Sequence, residues 1–277
     1  MKVVRTIADM KKLRRECVGS VGLVPTMGYL HDGHLELARR AKSENPVAVA
    51  TIFVNPTQFG PAEDFKSYPR DLDRDLALLE KVRTDIVFVP ADGEMYPGGY
   101  DTWVEVRGIT SKLEGRSRPT HFQGVTTVCN KLFNIIQPDR AYFGQKDAQQ
   151  AIVIQRMGSD LNMNLEIVVC PTVREKDGLA MSSRNTYLTA EERPSAVVLY
   201  KSLCLARDMY EKGELDAAVI KKAMNDLISA VPAAKIDYIS IADTGTLDEV
   251  DIIRGRTLIS LAVRLGKPRL IDNIILE

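Results

Sequence analysis

The chain has 277 residues, enough for about two domains at roughly 150 residues each. Its 37 Lys and Arg balance 37 Asp and Glu, and 45% of its residues are hydrophobic against 27% charged. That is a globular chain with a sizeable core, which excludes disorder as a whole, and the zero formal charge argues against a nucleic-acid coat or a basic membrane-surface binder.

Short apolar runs alternate with helical patterns through the first two thirds. VGLVPT (Val21–Thr26) reads as a buried strand. Residues 34–43 read as a helix with Asp32 as its N-cap and Leu35, Leu37, Ala38 and Ala41 as its apolar positions. A strand over 47–55, a helix over 71–82 and a strand over 86–90 follow. A helix over 125–136 stops before Pro138, and then come a strand over 141–144, a helix over 148–157 and a strand over 165–171. This alternation predicts an α/β fold, a doubly wound parallel sheet covered by helices on both faces. After about residue 175 the grammar changes to two long helices, 190–212 and 215–231, broken at Gly213, and three strands over 236–242, 257–266 and 268–276, the last two a hairpin through a GKP turn. The expected domains are residues 1–174 and a smaller C-terminal α+β domain over 175–277.

Cys17, Cys129, Cys170 and Cys204 are far apart and form no CxxC pair. They read as reduced thiols of a cytosolic protein, neither a disulfide framework nor a zinc ribbon. No signal peptide is apparent at the N-terminus, and no window approaches the roughly 18 apolar residues of a membrane span.

The chain has three histidines, His31, His34 and His121. Two of them share the loop PTMGYLHDGHLELARR between a strand and a helix. In an open parallel sheet, ligands bind where strands end and helices begin. A helix N-terminus there offers free N–H groups and the positive end of the dipole, which suits phosphate. Gly28 and Gly33 permit tight turning and close approach. A three-histidine zinc site is the metal alternative; the neighbouring motifs favour phosphate, and no resident metal is expected.

FGQKDAQQ follows the 141–144 strand. Lys146 is a point charge suited to phosphate, Asp147 suits ribose hydroxyls or Lys146 itself, and Gln150 lies one turn further on. REKDGLAMSSRN places two hydroxyls, Ser182 and Ser183, before Arg184, a phosphate grip at the expected domain junction and a candidate lid. FVNPTQF puts Asn55, Gln58 and Phe59 beyond the second strand, uncharged amides beside an aromatic, which suits a small hydroxylated acid. LEGRSRPTHFQGV brings Arg116, Arg118 and His121 before a helix.

Together, PTMGYLHDGH, FVNPTQF, RPTHFQGV, FGQKD with QQ, and MSSRN resemble the pantoate–β-alanine ligase family, in that family's order, over about residues 24–188. HxGH and MSSR also look like the HIGH and KMSKS elements of the wider class of Rossmann-like nucleotidyl-transferring proteins. Ala148 departs from the aromatic often found at that place in the family. The resemblance implies an AMP-forming ligase of pantothenate biosynthesis in which ATP and pantoate give pantoyl adenylate and pyrophosphate, and β-alanine then displaces AMP. It implies a cytoplasmic homodimer, with Mg2+ accompanying ATP, and no nucleic-acid or membrane partner is expected. By resemblance, Met27, Gly28, Tyr29, Leu30, His31, Asp32, Gly33 and His34 line the ATP site with Gly144, Gln145, Lys146 and Asp147. Val173, through its backbone, and Met181, Ser182, Ser183 and Arg184 complete that site. Gln58 and Gln150 would bind pantoate beside Asn55, and His34, His31, Lys146 and Arg184 would carry the chemistry. Asp73 and Asp75 are the candidate Mg2+ ligands. The alternatives are a nucleotidyltransferase, which calls for Arg or Lys where this chain has Asn55 and Gln58, and a non-catalytic nucleotide- or RNA-binding module, against which the zero charge argues.

Overall fold

A computed structural model describes residues 1–61 and 63–277. The chain divides into two compact units, one formed by 1–144 with 149–171 and the other by 145–148 with 172–277.

The first unit is built on six parallel strands in the order β1-β4-β3-β2-β5-β6. These are β1 (Lys2–Val4), β2 (Val21–Thr26), β3 (Val47–Ile52), β4 (Ile86–Phe88), β5 (Arg140–Gly144) and β6 (Glu166–Cys170). From β2 the chain builds outward through β3 and β4, then returns to add β5 and β6 on the other side. The order therefore reverses between β2 and β5. β2 pairs with β3 at six positions but with β5 only through Gly22 and Leu23, so the carboxyl ends of β2 and β5 part, which is the crevice where doubly wound sheets bind ligands.

The helices are α1 (Ile7–Glu16), α2 (Asp32–Glu44), α3 (Leu72–Lys81), α4 (Asp92–Met95), α5 (Glu114–Ser117), α6 (His121–Ile136) and α7 (Ala148–Asp160). In α2, Leu35, Leu37, Ala38 and Ala41 recur at helical spacing and are buried in one core cluster with Val24 of β2, Ala48 and Ala50 of β3 and Val87 of β4. Asp71 caps α3 by accepting from Arg74 N at 3.1 Å.

Several elements differ from expectation. β1 and α1 are additional; α1 is capped by Thr6, whose hydroxyl accepts from Asp9 N at 3.1 Å. β3 ends at Ile52 rather than residue 55, because Asn55 turns inward to cap a short 3-10 turn over Pro56–Gln58. α6 begins four residues early, at His121. Its start, HFQGVTTV, has poor intrinsic helicity, and twelve of its sixteen residues are buried, so packing overrides propensity.

The second unit has α8 (Glu192–Ser195), α9 (Val198–Glu211), α10 (Ala217–Ser229) and an antiparallel sheet of β7 (Ala234–Asp243), β8 (Thr257–Leu265) and β9 (Arg269–Leu276) in that order. Its core joins Leu199, Leu203 and Ala206 of α9 and Ile220, Met224 and Ile228 of α10 to Ile259, Leu261 and Val263 of β8. The single helix expected over 190–212 is instead two. The break falls at Ala196 and Val197, between α8 and α9.

Gly124 sets the fit of α6 against the Pro56–Gln58 turn. A Cβ there would lie 2.4 Å from the Thr57 carbonyl oxygen and 2.6 Å from Gln58 N, both backbone atoms. Gly124→Ala should therefore cost about 1–3 kcal/mol, as overpacking does, and lower the thermal midpoint by several degrees. An unchanged melting curve would show that helix and turn separate freely.

Candidate active site

The loop after β2 is shaped by Asp75 of α3. This carboxylate is 1% exposed and accepts from Tyr29 N at 2.6 Å and Leu30 N at 2.8 Å. Burial pushes its pKa up, against the two backbone hydrogen bonds, which pull it down. Arg74 donates to the Leu30 carbonyl at 2.9 Å and lies over the Tyr29 ring, 5.2 Å from its centroid. Gly28 (φ +83°) and Tyr29 (φ +49°) are both left-handed. The chain then enters α2 with His31, not Asp32, as the N-cap, because His31 is still extended while its carbonyl accepts from Leu35 N at 3.1 Å. His31 N donates to His34 Nδ1 at 3.4 Å, and the two rings lie 4.0 Å apart, both partly exposed at the helix N-terminus. Asp75 spends both oxygens on the loop, so it is a structural anchor rather than the metal ligand its sequence position suggests. Asp73 is exposed.

The second group surrounds Gln58, itself 8% exposed. Its Nε2 reaches Met27 Sδ at 2.9 Å, and its Oε1 accepts from Asn55 Nδ2 at 3.2 Å. Asn55 is 1% exposed. It also donates to the Gly124 carbonyl at 3.1 Å and accepts from Tyr96 OH at 2.8 Å and Thr57 Oγ1 at 2.9 Å. Its amide is thus turned to Gln58 and the protein interior. The Gln58 carbonyl accepts from His121 Nδ1 at 2.9 Å and Arg118 Nη2 at 3.3 Å, and Arg118 Nη1 faces His121 Nε2 at 3.1 Å. Arg118 is paired with Glu63, Nε to Oε1 at 2.7 Å. Burial pushes the Glu63 carboxyl up, but Arg118 outweighs it and holds it below the usual range. Both nitrogens of His121 are engaged, so it does not join His31 and His34 as a third metal ligand. Among the described residues no group of three His, Cys, Asp or Glu is placed to hold a metal.

In α7, Gln150 is partly exposed, whereas Gln149 is buried and donates to the carbonyls of Ile109 and Lys112, both at 2.8 Å. Gly144 closes β5.

The second unit holds the other candidates. A 3-10 turn spans Gln145–Asp147, with Lys146 Nζ 3.7 Å from Asp147 Oδ1. Val173 accepts from Met181 N at 3.0 Å across a tight hairpin that also pairs Arg174 with Ala180. The chain then turns into a 3-10 helix over Ser183–Tyr187, capped by Ser182, whose hydroxyl accepts from Arg184 N at 3.2 Å. Asn185 ties this helix back, donating to Glu175 Oε1 at 2.8 Å and the Ala180 carbonyl at 3.1 Å. Sequence reasoning missed the roles of Asp75, Glu63 and Asn185. Asp75 reads as a first-turn helix acid in RDLDRDL and a candidate metal ligand, with no sign of its grip on the loop.

The reversal of strand order, the helix N-terminus at the end of β2 and the glycine-bearing loop define a nucleotide-binding α/β protein. A family model, pantoate-β-alanine ligase, matches residues 2–275. Pantothenate synthetases of Acetivibrio thermocellus and Roseiflexus castenholzii are 58% and 57% identical, each over all of both chains. A crystal structure of pantothenate synthetase from Thermus thermophilus is 47% identical with a TM-score of 0.95, covering 99% of each chain. One of the Francisella tularensis pantoate-β-alanine ligase, described as complexed with β-γ ATP and β-alanine, is 36% identical with a TM-score of 0.81, covering 99% of this chain and 97% of that one. The chain belongs to the pantoate–β-alanine ligase family, and its reaction is the ATP-dependent joining of pantoate to β-alanine.

The state of His121 yields a pH prediction. Burial first, and the charge of Arg118 second, lower its pKa from 6.5 to about 4, with Glu63 and Glu114 opposing. Between those values the unfolded chain binds a proton that the folded chain does not, so stability is lost as pH falls from 6.5 towards 4, by up to about 3 kcal/mol. His121→Asn keeps a donor at the Nδ1 position and cannot titrate. The stability difference between wild type and variant, from urea unfolding at pH 7 and pH 4.5, should shift against wild type at the lower pH. A pH-independent difference would show that His121 is accessible to protons.

Proposed function

We propose that the residues above divide the ligase reaction between an anion-binding loop and a neutral amide site. The observation that carries this is the contact of Gln58 with Met27: it sets the neutral amide directly against the loop of His31 and His34, so a carboxylate on one side meets a phosphate on the other. In the first step a pantoate carboxylate oxygen attacks the α-phosphorus of ATP, and the bond to pyrophosphate breaks. The carboxylate is already ionised at neutral pH, so this step needs positioning and charge stabilisation rather than a general base. His31, His34, Lys146, Ser182, Ser183 and Arg184 donate to the phosphates. His34 hydrogen-bonds the α-phosphate or leaving group in the transition state. Met27, Gly28, Tyr29, Leu30, Asp32, Gly33, Gly144, Gln145, Asp147 and Met181 form the rest of the nucleotide site, with the Val173 backbone at the adenine. Gln58 and Gln150 bind pantoate, and Asn55 acts by orienting Gln58. In the second step the β-alanine amine attacks the acyl carbon, the bond to AMP breaks, and the nitrogen loses its proton.

Mg2+ enters on the phosphate oxygens of ATP, which suits a hard cation; with Asp75 committed to the loop, the nucleotide supplies its main ligands. A cytoplasmic homodimer accords with the family resemblance. The four cysteines are free, and among the described residues no helix is long and apolar enough to cross a membrane. The second unit acts as the lid that shields the acyl adenylate.

The test is incubation with ATP, pantoate and β-alanine, omitting each in turn and following AMP and pyrophosphate. Sustained AMP release only with all three supports the reading, and no product under any condition overturns it. His34→Ala should lower turnover by about two to three orders of magnitude, as loss of an oxyanion-type donor does, with an unchanged melting curve; near-wild-type turnover would remove His34 from the chemistry.

Arg184→Ala should slow adenylate formation and also raise AMP formed per pantothenate above one, because a mixed anhydride left open to water hydrolyses. A ratio that stays at one while the rate falls would leave Arg184 a charge-stabilising role alone and end the lid assignment.

A further inference from the structure

The 3-10 turn bearing Lys146 is three residues long. Such a turn makes few hydrogen bonds of its own and needs an outside support to hold one shape. That support comes from β9, 127 and 128 residues further along the chain. Asn273 is 3% exposed, and its Nδ2 donates to the carbonyls of both Gln145 and Lys146 at 2.9 Å, while Gln145 Nε2 lies 3.4 Å from its Oδ1. β9 is the edge strand of its sheet.

The preceding residue does the same for the other phosphate segment. Asp272 is 2% exposed and accepts from both guanidinium ends of Arg174, at 2.6 and 3.0 Å. Arg174 in turn donates to the Gly178 carbonyl at 3.0 Å and stacks on Tyr200, 4.1 Å from its centroid. This fixes the hairpin that leads into Ser182, Ser183 and Arg184. Successive side chains of a strand point to opposite faces, so one dipeptide supports two segments.

We propose that Asn273 is a positioning residue for Lys146, and that with Asp272 it joins the Lys146 turn and the Ser182–Ser183–Arg184 segment to one strand as a single phosphate-gripping element. Its two amide hydrogens are spent on consecutive carbonyls, so it orients the turn without touching substrate. This rests on the phosphate role of Lys146 given above. A displacement of about 1 Å in a positioned group costs on the order of 100-fold in rate.

The test is a double-mutant cycle on the rate of pantoyl-adenylate formation. Asn273→Ala should slow this step by about 10- to 100-fold and leave the KM for pantoate within about twofold. Asn273→Asp keeps the shape but turns oxygen toward two carbonyls; it should show the same loss, and it serves if the alanine variant does not fold. Added to Lys146→Ala, either change should cost less than about threefold more, because the group it positions is gone. Losses that multiply in the double variant, or a wild-type rate in the Asn273 variants, overturn the positioning role. A Lys146→Ala enzyme that adenylates at the wild-type rate instead overturns the phosphate role of Lys146, and the two failures are thereby separate.

Discussion

The buried carboxylate of Asp75 holds the first unit's nucleotide loop in a shape the chain would not adopt alone. A left-handed conformation at a residue with a Cβ, such as Tyr29, costs roughly 1–2 kcal/mol. Each hydrogen bond from a backbone N–H to a charged acceptor contributes about 1.5–3 kcal/mol. Two such bonds, to Tyr29 and Leu30, work against both that strain and the burial that pushes the carboxyl's pKa up. The clamp also explains Gly28: a Cβ there would sit 3.0 Å from Asp75 Oδ2, besides the unfavourable φ. Once residues 28–30 are turned this way, His31 falls at the N-cap of α2 and His34 one turn inside it. Removing the carboxylate would take the acceptor from both N–H groups, and at buried Leu30 that is the costly kind of loss.

The same logic recurs at Gln58. Residues that meet substrate sit in loops, and their precision comes from buried polar groups behind them. The Gln58 carbonyl is held by His121 and Arg118, which come from a segment 60 or more residues later. The ring must carry its hydrogen on Nδ1 to donate to that carbonyl, leaving Nε2 to accept from Arg118. Protonation would set two donors face to face at 3.1 Å, so the geometry with Arg118 adds to the burial that depresses the pKa.

The sequence makes the sheet and the candidate residues legible because both rest on short-range signals. Buried parallel strands are continuous apolar runs, and the run Val21–Thr26 coincides with β2 end to end. Motifs at strand ends identify a nucleotide site without knowing strand order. What periodicity cannot reveal are the partners that lie far apart. Asp75 reads as a first-turn helix acid and candidate metal ligand, Asn55 as an amide aimed at substrate, and Asn273 as one polar residue in IDNIIL. Each acquires its role from contacts spanning 46, 69 or 128 positions. The β1 strand is illegible because three residues carry no period. The start of α6 over 121–124 is illegible because Gly124 argues against a helix until α6 packs on the turn at Pro56–Gln58.

The placement of charge follows from what each substrate needs. A carboxylate that must attack phosphorus is weakened as a nucleophile by tight pairing with a guanidinium, since such pairing stabilises the full charge of the ground state more than the dispersed charge of the transition state. The side chain presented at Gln58 is a neutral amide. Arg118, a cation in contact with this residue, has its fork committed to Glu63 and the Gln58 carbonyl. Glu63 stays ionised because Arg118 outweighs the burial that opposes it, so the pair is neutral as a whole. On the roles proposed here, positive charge is directed at the phosphates, through Lys146 and Arg184, and away from the attacking carboxylate. An Arg at position 58 would bind pantoate more tightly and adenylate it more slowly, which is why a neutral amide at this position fits a carboxylate substrate and a basic residue would fit a phosphate ester.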